Sequence, residues 1–66
     1  MTRNELNKLY NANRLRLTSN AVFAINIGMQ TWSKSHPWAE PNQYNKALRR
    51  KTVDLCLDYP TCYTII

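Results

Sequence analysis

The chain has 66 residues, 44% hydrophobic content, a single glycine and a formal net charge of +5, with a pI near 9.6. So short a chain makes one domain. It buries only about 60% of its unfolded surface, so partner binding or self-association is expected to contribute to its folding. The apolar content excludes simple disorder, and the charge favours acidic partners: nucleic acid, or an acidic protein face.

Residues 1–16 carry charge throughout and offer no apolar core of a secretion signal. The one strongly apolar run, residues 21–32, is interrupted by Asn26 and Gln30 and is too short to span a bilayer. Two cysteines, Cys56 and Cys62, do not make a disulfide framework. The expected compartment is therefore a reducing cytoplasm, with both thiols free. Asn is unusually frequent, with eight in 66 residues, for which composition alone suggests no physical reason.

In chain order, Thr2-Arg3-Asn4-Glu5 fits a capping box, Thr at the cap and Glu three residues on. A first helix is predicted from there to about Arg16. Leu6, Leu9, Tyr10 and Leu17 share its inner face, and Leu15 points away. A short turn, Leu17 to Ser19, leads into a second helix on which the rest is expected to centre. Thr18 is its N-cap, and Leu17 and Val22 have hydrophobic-staple spacing. Val22, Ile25, Met29 and Trp32 recur at helical spacing, while Ala21, Ala24, Gly28 and Thr31 form a small-residue face open to close approach. The same run also alternates with period two. That keeps an α+β alternative, with residues 21–32 and 61–66 as strands.

Ser33 to Asn42 contains two prolines and two serines and reads as a loop. Trp38 within it is expected to pack over the core edge; left exposed, it would be a candidate anchor for a partner. A third helix is predicted from near Pro41 to about Asp58, stopped by Pro60. Its inner face is Tyr44, Leu48, Thr52, Leu55 and Tyr59, and Arg50 and Asp54 have i, i+4 spacing. The tail, residues 61–66, is apolar and β-branched. It is expected to pack over Val53 and Leu57 or to pair as a short strand. The fold expected is all-α, three helices with an apolar C-terminal tail.

The chemistry is sparse. Four acidic residues, Glu5, Glu40, Asp54 and Asp58, provide no carboxylate pair across a cleft, so no catalytic residue is assigned. His36, Cys56 and Cys62 lack zinc-site number and spacing, so no metal or other cofactor is assigned. There is no glycine-rich phosphate loop. A helix-turn-helix register on Ala24 and Gly28 fails, because a recognition helix would have to begin within SKSHPW.

Two binding readings remain. The first is a regulator or inhibitor docking on a larger protein with an acidic surface. It would use Lys46, Arg49, Arg50, Val53 and Leu57, with Trp38 at the edge, and it draws on an apparent excess of apolar groups outside the inner faces. The second is nucleic-acid binding through Arg14, Arg16, Lys46, Arg49, Arg50 and Lys51, with Tyr10, Tyr44 and Trp38 available to stack on bases.

Overall fold

Thr2 begins the fold by capping α1 (Arg3–Asn11). The Glu5 N–H donates to Thr2 Oγ1 at 3.2 Å, and that hydroxyl donates to the Glu5 carboxylate at 3.1 Å. In chain order β1 (Leu15–Leu17), α2 (Ser19–Ser35), α3 (Pro41–Asp58), a single 3-10 turn (Pro60–Cys62) and β2 (Tyr63–Ile65) follow. This is a computed structural model, and it describes residues 1–66. The architecture is mainly helical, with one small two-stranded antiparallel sheet.

The first helix is shorter than its sequence suggests. Asn13 adopts φ 57°, a left-handed conformation that Asn tolerates better than most residues. The Asn13 N–H donates to the Tyr10 carbonyl and the Arg14 N–H to the Leu9 carbonyl. That pairing of a left-handed residue with two back-reaching amides is a Schellman stop. Residues 15–17 therefore leave the helix and become β1. Leu15 and Leu17 turn inward to pack on the core, and Arg16 turns out.

The C-terminal tail supplies the second strand. Leu15 faces Ile65, Arg16 faces Thr64 and Leu17 faces Tyr63. The tail is further fixed by the Ile66 N–H donating to the Arg14 carbonyl at 3.0 Å and by Arg14 Nε donating to the Ile66 carbonyl at 2.9 Å. The Thr18 N–H donates to the Cys62 carbonyl at 3.0 Å, extending the same seam. Of the α+β alternative, the strand within 61–66 is present at Tyr63–Ile65, whereas residues 21–32 are helical.

Residues 21–32 are helical because the cap works and because α3 offers a surface to bury one face. The Ala21 N–H donates to Thr18 Oγ1 at 3.2 Å. The buried face is Ala21, Ile25 and Met29, rotated from the expected Val22-led stripe, and Val22 is exposed. The rotation buries Ala21 and puts Gly28 beside Lys51 of α3. At Gly28 the nearest atom to an added Cβ is Lys51 Cδ, at 3.5 Å. Gly28→Ala is therefore sterically tolerable and removes a flexible residue from a helix interior. It is expected to stabilise the fold by roughly 0.5–1 kcal/mol, read as a higher urea midpoint by circular dichroism. A lower midpoint would contradict this packing.

The third helix, not the second, is the organising element. α3 packs against both α1 and α2, which scarcely meet each other. Its start has the Glu40 N–H donating to Gln43 Oε1 at 3.0 Å, with Pro41 in the first turn. Because α3 is flanked on two sides, its buried residues are Thr52, Val53 and Cys56 rather than a single Tyr44–Tyr59 stripe; Tyr44 and Tyr59 are exposed. Buried Thr52 donates its hydroxyl to the Leu48 carbonyl at 2.8 Å and so leaves no unmatched donor. Leu6, Val53 and Cys56 form the core, with Leu15, Leu17, Leu57 and Tyr63 around it.

Candidate functional site

The basic residues of α3 border a groove that α1 completes. Arg3, Asn7 and Asn11 recur at four-residue intervals on α1, and Asn42, Asn45, Lys46 and Arg49 follow α3 at three- and four-residue steps. Such spacing keeps each set on one side of its helix. The result is one hollow lined by Tyr10, Asn11, Asn42, Asn45, Lys46 and Arg49, and a second lined by Arg3, Asn7, Lys46, Arg49 and Arg50. The two share Lys46 and Arg49. The first is an open surface hollow of about 430 Å³. Its lining has one hydrophobic residue, Tyr10, so it suits a polar ligand rather than an apolar one.

The band continues over α3. Lys46 and Arg50 also border a hollow against α2, with Trp32, His36, Gln43 and Ala47. His36 and Gln43 carry it on to the α2–α3 loop, where Pro37, Trp38 and Ala39 line the next depression. No carboxylate lines any of these four hollows, and Arg3, Lys46, Arg49 and Arg50 supply their charge. Arg3 also pairs with Asp54. Its guanidinium is the charge partner of an Asp54 Oδ1 that is shut off from solvent. That pair replaces the expected Arg50–Asp54 contact and leaves Arg50 to the groove. Since both side chains are roughly half-exposed, the pair itself adds little stability.

The aromatic side chains fall into two kinds. Trp32 stacks on His36 with ring centroids 4.3 Å apart and planes 15° apart, and meets Tyr44 edge-on at 6.0 Å. His36 is thus held in the fold, with Nδ1 2.9 Å from the Trp32 carbonyl, where a protonated Nδ1 donates. Trp38 is different: it is 92% exposed. The sequence-based expectation that it packs over the core edge is therefore corrected. The His36–Ala39 turn, closed by the Ala39 N–H donating to the His36 carbonyl at 3.1 Å, holds it outside the core.

The other proposed contact residues divide. Lys46, Arg49 and Arg50 come together on the groove. Val53, expected on a contact surface, is 0% exposed and lies in the core between Leu6 and Cys56; α1 and the sheet cover the side of α3 that was expected to face out. Leu57 is half-buried against the same core. Lys51 lays its aliphatic stem over Gly28 of α2 instead of entering the α1–α3 groove. Arg14 is engaged with the tail carbonyl, and Arg16 stands on the outer side of the sheet. Neither lines the band.

Sequence reasoning missed Arg3, Asn7, Asn11, Asn42 and Asn45, and offered Tyr10 only as an aromatic available for stacking. The signal available was the regular spacing of Asn beside cations on two helices. Four of the eight Asn residues line this groove, which gives part of the Asn excess a physical place.

The remaining reactive groups do not gather. Both cysteines are free. Burial, and after it the charge of neighbouring Cys62, pushes the Cys56 thiol above its ordinary range and makes it a poor nucleophile at neutral pH. No three His, Cys, Asp or Glu side chains come together in a metal-binding group. No helix is long and apolar enough to cross a membrane. No protein-family model, curated protein or solved structure matches this chain.

Proposed function

We propose that this chain is a small non-enzymatic binding protein that holds single-stranded nucleic acid along the band from the α1–α3 groove to Trp38. The observation that carries this reading is the continuity of the band: three cations free of ion pairs beside the Asp54-paired Arg3, no lining carboxylate, and a free tryptophan at one end. Cations neutralise phosphates, and an exposed aromatic ring stacks on an unpaired base. The Asn side chains between them both donate and accept, which suits phosphate oxygens and base edges alike.

Docking on an acidic protein draws on the same cations. It loses support because its apolar centre, Val53, is in the core. A groove lined by Asn, Lys and Arg lacks the desolvated apolar anchor around which interface hot spots form. Free thiols at Cys56 and Cys62 suit a reducing compartment, and cytoplasmic residence belongs to this reading.

With few phosphate contacts, affinity is expected in the range of non-specific binders, about 10⁻⁶ to 10⁻⁴ M at physiological salt. The test is to titrate a labelled single strand and its duplex with the protein and with Trp38→Ala. Trp38 touches little of the fold, so the variant is expected to keep its circular dichroism. It should bind the single strand about 5- to 150-fold more weakly, the equivalent of roughly 1–3 kcal/mol of stacking on one base. Equal binding by wild type and variant would remove Trp38 from the site. Failure of either nucleic acid to bind would return the acidic protein surface to first place.

A further inference from the structure

α2 presents a second surface that the basic band does not use. Phe23 is 67% exposed and Ile27 is 48% exposed, one turn apart on the side of the helix opposite Ile25 and Met29. Asn20, Ala24 and Thr31 complete that stripe, all exposed. From Ser19 to Ser33 the helix contains no Asp, Glu, Lys or Arg.

The geometry points to a second copy of this chain as the occupant of this face, in a two-fold dimer whose α2 helices cross antiparallel. Three observations carry it. The first is charge. Two chains of net charge +5 repel, and an uncharged helix face lets them meet without opposing cations. An acidic partner would find nothing to complement there. The second is pattern. A two-fold axis at the level of Ile25 sets Phe23 of one copy against Ile27 of the other, twice over. It also sets the Asn20 amide opposite the Gln30 amide. Ala24 keeps the crossing close, and an isologous interface needs this self-complementarity. The third is area. The chain exposes 5047 Å², whereas a folded monomer of 7.8 kDa exposes roughly 4,400 Å². The excess of roughly 650 Å² belongs to the chain as a whole, and Phe23 and Ile27 are part of what it leaves uncovered. Its radius of gyration, 11.9 Å, likewise exceeds the roughly 10.8 Å of a compact chain this long.

The test is molar mass by light scattering and sedimentation equilibrium, from about 5 to 500 μM, in moderate salt to screen the net charge. Mass is expected to rise with concentration from 7.8 kDa toward twice that value. Phe23→Glu and Ile27→Glu are expected to stay at monomer mass with native circular dichroism. Arg50→Glu, on the basic band, is expected to dimerise as wild type does. If a Glu variant fails to fold, Phe23→Ala takes its place, with an expected weakening of at least tenfold in the dimer constant. Monomer mass throughout would overturn the proposal and leave the face to a different, uncharged partner. A dimer that none of these changes weakens would also overturn it. The nucleic-acid reading is tested apart from this one, since a monomeric Phe23→Glu variant keeps the whole basic band.

Discussion

Changing Lys46, Arg49 and Arg50 together to Gln is expected to weaken single-strand binding about a hundredfold near 0.1 M salt, and changing them to Glu is expected to abolish it. Each phosphate contact on a single strand contributes a slope of about −0.7 to the salt dependence. At 0.1 M relative to 1 M salt that is a factor of about five per contact, and about 10² for three. The Glu version also takes the net charge from +5 to 5 − 6 = −1, so attraction at a distance becomes weak repulsion. The fold should survive both changes. Lys46 and Arg50 are exposed, Arg49 is half-buried, and none of the three makes an ion pair that the core depends on. Anisotropy checks the binding and circular dichroism the fold. Unchanged affinity in a folded Gln triple variant would remove α3 from the site.

Leu6→Ala is expected to leave much of the protein unfolded at room temperature. Leu6 is 0% exposed and packs with Val53 and Cys56 at the junction of α1, α3 and the sheet. Truncating a buried Leu costs about 2–5 kcal/mol, the spread depending on how far the cavity collapses. A domain of this length has a total stability of roughly 3–10 kcal/mol. Only seven of its 66 residues are buried, which places it toward the low end. The loss is thus a large share of the whole, readable in urea unfolding by circular dichroism. A midpoint close to wild type would mean that the core lies elsewhere.

Much of the architecture is legible in the residues. The caps at Thr2 and Thr18 and the Pro41 and Pro60 boundaries of the third helix all stand where local chemistry puts them. What the local reading mistakes follows from contacts made at a distance. Leu15-Arg16-Leu17 alternates with period two, a strand signal, but three residues are too few to outweigh the helix running into them. They become a strand because the tail, about fifty residues later, pairs with them. Asn13 offers a stop signal for the helix before it, since Asn enters the left-handed region readily, yet Asn elsewhere in the chain sits inside helices.

Val53 shows the limit most clearly. On a helix packed from one side it belongs to the outward face. On α3, packed by α1 and the sheet on one flank and by α2 on the other, it belongs to the core. The candidate site was half legible for the same reason. The cations of α3 are contiguous in sequence, whereas Arg3 and Asn7 join them only through the packing of α1 on α3.

The most direct test of the central claim is the salt dependence of single-strand affinity for the wild-type protein, measured between about 25 and 200 mM. With Lys46, Arg49 and Arg50 each meeting a phosphate, and Arg3 held by Asp54, the logarithm of the affinity should fall with the logarithm of salt at a slope of about −2. No measurable binding at the lowest salt, or a slope near zero, would contradict a nucleic-acid role for the band.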